Sequence, residues 1–169
     1  MTPQQVALIH DSFAEIVPMS DQVAEIFFNR LFEIAPHVRP LFRGDMAEQR
    51  VKFMATMSML VNSLGNLDVV LPAASKLATR HVGYGVTPEH YPVVGQALLW
   101  TIQRTLGLNW TTDVAAAWIE AYGIISRHMI GKAYGRCLDR LARGVAVLIF
   151  LGYTSIPVAI LLGYGKEVL

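Results

Sequence analysis

The chain has 169 residues and a net charge of +1 with acids and bases interspersed, which excludes the cationic stripe that nucleic-acid partners require. Its length suits one domain with an appendage and a sizeable hydrophobic core. One cysteine, Cys137, excludes an intramolecular disulfide or a multi-cysteine metal site, and "MTPQQVALIHDSF" has no signal-peptide order, so a cytoplasmic setting is expected.

"TPQQVALIHDSFAEIV" starts a helix with Thr2 as cap, Pro3 in the first turn and Gln5 placed to complete a capping box. Val6, Ile9, Phe13 and Ile16 then form one apolar stripe. Ser20 or Asp21 is the expected cap of a second helix with Val23, Ile26, Phe27 and Leu31 inward. Pro36 and Pro40 force a bend in "APHVRPLF". A third helix is expected over Asp45 to Ser63 and a shorter one over Val70 to Val82. The Thr87–Pro88 signal predicts a long helix to Leu106, and Thr111 or Thr112 caps a last one through Ile130. No strand-like alternation competes, so the fold class is all-α with six or seven helices.

His81 ends the fourth predicted helix, four residues after Leu77 and on the same face. Gln49 and Phe53 lie one turn apart on the preceding helix, Phe42 follows the proline corner, and Tyr91 opens the next helix. No charged residue interrupts the apolar face of Phe27, Phe28, Leu31, Phe42, Phe53, Met54 and Met57. A dry pocket with one neutral imidazole suits the axial ligation of haem iron. Zinc would require three or four clustered ligands, which the sequence does not offer. Lys52 and Arg80 flank pocket residues and read either as partners of haem propionates or as solvated charges. His10, His37, His90 and His128 lack a supporting constellation.

The segments "FFNRLFEIAPHVRPLF", "LPAASKLATRHVGYGV", "HYPVVGQALLWTI" and "AWIEAYGII" resemble the bacterial single-domain haemoglobins and the globin domain of flavohaemoglobins, over residues 3 to 130. The resemblance implies the globin fold, a three-over-three helical sandwich. It also implies haem b, with His81 as the proximal iron ligand, Phe42 stacked on the porphyrin and Gln49 on the distal face. Leu77, through its carbonyl, is the expected acceptor for the His81 Nδ1–H, and Tyr91 matches a tyrosine that the family places behind that histidine.

Two positions depart from the family pattern. A glutamate that completes the proximal network falls on Ala133, and a distal tyrosine is replaced by Phe28. Both departures favour reversible binding of dioxygen, as carrier, reservoir or scavenger, over turnover. The alternatives are a nitric-oxide dioxygenase served by a separate flavin reductase, since 169 residues leave no room for a flavin domain, and a haem-based gas sensor. Dioxygen and other diatomic gases are the expected ligands.

Residues 1–133 are read as the globin domain and 134–169 as a basic segment with an apolar tail. The uncharged run 144–165 has the length of a membrane span, and Lys132, Arg136, Arg140 and Arg143 before it would keep the globin on the cytoplasmic side of the inner membrane. Gly152 and Pro157 equally permit a hydrophobic hairpin, or packing on the globin or on a second subunit of a homodimer.

Overall fold

The computed structural model describes residues 1–135, and the expected apolar tail lies outside the described residues. Six α-helices follow one another: α1 (Pro3–Ile16), α2 (Ser20–Ile34), α3 (Met46–Ser63), α4 (Leu67–Gly83), α5 (His90–Leu106) and α6 (Thr112–Tyr134). Helices α1, α3 and α4 pack as one layer on α2, α5 and α6, with no strand among the described residues. The all-α, three-over-three expectation therefore holds. None of the described helices is long and apolar enough to cross a membrane.

Helix starts follow the side chains available to bond the free amides. At α1 the capping box is complete: Thr2 Oγ1 accepts from the Gln5 amide at 3.2 Å, and the Gln5 side chain accepts from Thr2 N–H at 2.8 Å. Asp45 caps α3 by accepting from Ala47, and Thr111 caps α6 by accepting from Val114.

Three boundaries differ from expectation. Neither Ser20 nor Asp21 caps α2, because the chain enters it through a 3-10 turn, Val17–Met19, and Ser20 donates its hydroxyl to the Val17 carbonyl instead. Helix α4 begins at Leu67, three residues before the expected Val70, because Asn66 caps it by accepting from the Asp68 amide, and it carries Pro72 inside it. Helix α5 begins at His90, and the Thr87 amide donates to His90 Nδ1 at 3.0 Å in place of a threonine cap.

The core runs between the layers, with Ile9, Ile16, Leu31 and Val38 fully enclosed. Trp118 on α6 donates its buried indole N–H to Ser12 Oγ on α1 at 3.0 Å, and Ser12 donates to the Leu8 carbonyl at 2.7 Å. This chain satisfies the polar atoms that Trp118 brings into the core. Tyr122, one turn later on α6, lies against Gly95 of α5 and donates its hydroxyl to the Tyr91 carbonyl.

A Cβ added at Gly95 would sit 2.4 Å from Tyr122 Cε1. Alanine is the better helix former by up to ~1 kcal/mol, but the hydrogen-bonded ring has little freedom to retreat. Gly95→Ala should therefore be destabilising by about 1–3 kcal/mol in denaturant unfolding. Unchanged or raised stability would show that Tyr122 gives way.

Candidate functional site

Helix α4 carries His81 in its last turn, and the turn that follows holds the helix end in place. The Tyr84 and Val86 amides both bond the His81 carbonyl, at 3.1 and 3.0 Å. Gly85, at φ +86°, lets the backbone reverse so that Val86 reaches it. Tyr134 at the end of α6 donates its hydroxyl to the Val86 carbonyl, tying the last helix to this turn.

Within α4 the His81 Nδ1 stands 2.9 Å from the Leu77 carbonyl. A carbonyl only accepts, so the proton sits on Nδ1 and the Nε2 lone pair is free. Burial pushes the His81 pKa down, against the opposing pull of the Leu77 carbonyl. The imidazole is therefore neutral at neutral pH, the form that ligates a metal.

His81 opens on a cavity of about 900 Å³ between the layers, near the upper limit of ligand pockets. Phe27, Phe28, Phe42 and Phe53 line it too. Phe27 and Phe53 are stacked with centroids 4.2 Å apart, and Phe28 meets Phe42 edge-on at 5.3 Å. Each such pair contributes roughly 0.5–1.5 kcal/mol beyond its burial, so this wall is a rigid surface for a flat ligand.

The polar groups lie at the rim. Gln49 Nε2 donates to the Arg43 carbonyl at 2.9 Å. Lys52 pairs with Glu48 at 2.8 Å, whereas Arg80 has no ionic partner among the described residues. Of the two cations anticipated for propionates, Arg80 is the unengaged one. Both line the cavity, as do Leu77 and Tyr91.

The Tyr91 ring lies 6.4 Å from that of His81, while its hydroxyl is buried with no hydrogen-bond partner among the described residues. Burial, with Tyr134 nearby, pushes its phenol up to about 12. Ala133 packs beside the Tyr91 cluster and offers only a methyl group.

Arg43, Tyr84, His90 and Tyr122 also line the cavity and were not singled out from sequence. Tyr122 had a legible signal, its place one turn after Trp118. His90 did not, because its ring is drawn to the rim by the Thr87 amide. His10 and His128 bond the Val61 carbonyl and Ser75 within the fold.

No three His, Cys, Asp or Glu cluster as metal ligands among the described residues. One neutral histidine, a free Nε2, an apolar slot and cations at the mouth fit a flat, anionic-edged cofactor that contributes its own iron, and they fit haem.

Tyr122 is buried so that its phenol is held far above its ordinary range, and Tyr134 is raised by burial too. With an unfolded value near 10, these tyrosines contribute stability that is whole below pH ~10 and is lost as the pH rises toward their folded values. Stability should therefore fall above pH ~10, and Tyr122→Phe should flatten that fall while costing about 1 kcal/mol at neutral pH for the lost hydrogen bond. Unfolding curves at neutral pH and above pH ~10 check both signs.

The Globin family model matches residues 25–129. The flavohemoproteins of Bacillus subtilis and Xylella fastidiosa are 30% and 32% identical, over 68% and 74% of this chain. The chain spans about a third of their length, 31% and 32%. A bacterial globin from Campylobacter jejuni superposes with a TM-score of 0.68 at 29% identity, covering 78% of this chain and 96% of that one. A hexacoordinated heme protein from an anhydrobiotic tardigrade shares the fold, with a TM-score of 0.72 at 13% identity over 79% of this chain and 95% of that one. The family match spans most of the chain and agrees with the slot, the His81 imidazole in its wall and the sandwich that frames them, and the chain belongs to the globins, haem proteins that bind diatomic gases.

Proposed function

We propose that this globin carries haem b and binds dioxygen reversibly, with His81 as the proximal ligand. The observation that carries the reading is the His81 imidazole, neutral and bonded to Leu77, with Nε2 free at the wall of an apolar cavity. When bound, haem supplies an iron that takes up a diatomic gas.

The chain's own residues hold and insulate that group. Leu77 fixes the imidazole tautomer and direction. Phe42, Phe53 and Phe28, which line the cavity, would pack on the flat face and exclude water, and Arg80, with Arg43 and Lys52, would meet the anionic edge. Gln49 donates one amide hydrogen to the Arg43 carbonyl, and its second would be the one to meet the gas.

Nitric-oxide dioxygenation is the second reading, favoured by the likeness to flavohemoproteins. It would draw electrons from a flavin reductase. The Tyr91 hydroxyl, unpartnered among the described residues, and the methyl group at Ala133 weigh against it, because no carboxylate among the described residues there makes the His81 ring more electron-donating.

A distal hydrogen bond contributes about 1–1.5 kcal/mol, roughly tenfold in ligand retention. Stopped-flow dioxygen release from the haem-loaded chain should therefore be about tenfold faster in Gln49→Val. An unchanged rate would show a purely apolar distal side. Sustained reductase-driven conversion of nitric oxide to nitrate over many turnovers would favour the dioxygenase reading over the carrier.

A further inference from the structure

We infer that Gly44 is a positioning residue for the gas ligand, its backbone turning the Arg43 carbonyl so that Gln49 is anchored with its second N–H committed to one direction. The inference rests on the reading of Gln49 as the distal donor.

Gly44 has φ +94°, a region that side-chain-bearing residues rarely enter. No atom lies within 4 Å of where its Cβ would stand, so the position requires glycine for its backbone and not for space. The peptide plane between Arg43 and Gly44 turns with Gly44 φ, and that plane carries the carbonyl that receives Gln49 Nε2 at 2.9 Å.

The same short loop sets the start of α3. The Asp45 carboxylate accepts the Ala47 amide at 2.9 Å, and its carbonyl accepts the Gln49 backbone amide at 3.1 Å. Backbone and side chain of Gln49 are thus both referred to residues 43–45. Anchoring removes rotamer freedom before a ligand arrives.

The direction of Gln49 has consequence because the polar side chains that follow it on α3 at the cavity, Lys52 and Thr56, are engaged. The Thr56 hydroxyl donates to the Lys52 carbonyl at 2.8 Å, and the Lys52 ammonium bonds Glu48 at 2.8 Å. Phe27, Phe28 and Phe53 offer no donor. The remaining N–H of Gln49 has no partner among the described residues, and beside it only the Arg43 guanidinium, on the exposed loop, is likewise unengaged.

Alanine at this φ is strained, and the loop relieves it by rotating the Arg43–Gly44 peptide away from Gln49. A glycine that served only the helix cap would affect folding and leave gas release alone.

The test uses the full haem-loaded chain as wild type, Gly44→Ala, Gln49→Val and the double variant. Its readouts are the dioxygen release rate and the C–O stretching frequency of the carbon monoxide form. Gly44→Ala should release dioxygen several-fold faster, up to about tenfold, and shift the C–O stretch in the same sense as Gln49→Val. In the Gln49→Val background it should add nothing, the mark of two residues acting through one contact. Gly44→Asn, the side chain that best tolerates positive φ, should fall between wild type and alanine.

If Gln49→Val changes both readouts and Gly44→Ala changes neither, the inference is overturned and the donor reading stands. An equal effect of Gly44→Ala in both backgrounds overturns it too. No effect of Gln49→Val overturns the donor reading and the inference with it.

Discussion

One hydrogen bond, from His81 Nδ1 to the Leu77 carbonyl a turn earlier, governs the chemistry available to this chain. It decides which imidazole nitrogen carries the proton, and so leaves the Nε2 lone pair of His81 free at the cavity. A bond within one helix turn needs little from the rest of the molecule. Keeping that turn at the cavity wall needs a great deal. Gly85 reverses the chain, Val86 returns to bond the His81 carbonyl, and Tyr134 of α6 bonds Val86. The end of the last helix and the base of the site are therefore one structure.

The two sides of the cavity differ in kind. The distal wall is rigid and apolar, with stacked and edge-on phenylalanines and a single amide at its rim. The His81 side is polar but incomplete among the described residues, since the buried Tyr91 hydroxyl has no partner there and Ala133 brings no acceptor. A buried unpaired hydroxyl costs on the order of 1–3 kcal/mol, so Tyr91 is one place among the described residues where the interior is not satisfied. That imbalance favours a site that holds a gas over one that drives its reaction.

Much of this was legible in the sequence, for physical reasons that differ by element. The capping box at Thr2–Gln5 and the caps at Asp45 and Thr111 are local, and they form where the side chains allow. The pairing of Leu77 with His81 follows from helix geometry alone. The start of α2 was not legible, because a 3-10 turn delivers the chain already wound. Nor was the place of His90, Arg43 and Tyr84 at the cavity, since loop geometry and not periodicity brings them there. The Gln49–Arg43 bond depends on a glycine dihedral that no spacing rule encodes.

The most direct test of the account is the absorption spectrum of the ferrous, haem-reconstituted chain beside that of His81→Gly, with and without added imidazole. If His81 Nε2 is the proximal ligand, the variant loses the wild-type ferrous spectrum and imidazole restores it. A His81→Gly protein that keeps that spectrum without imidazole would contradict the account.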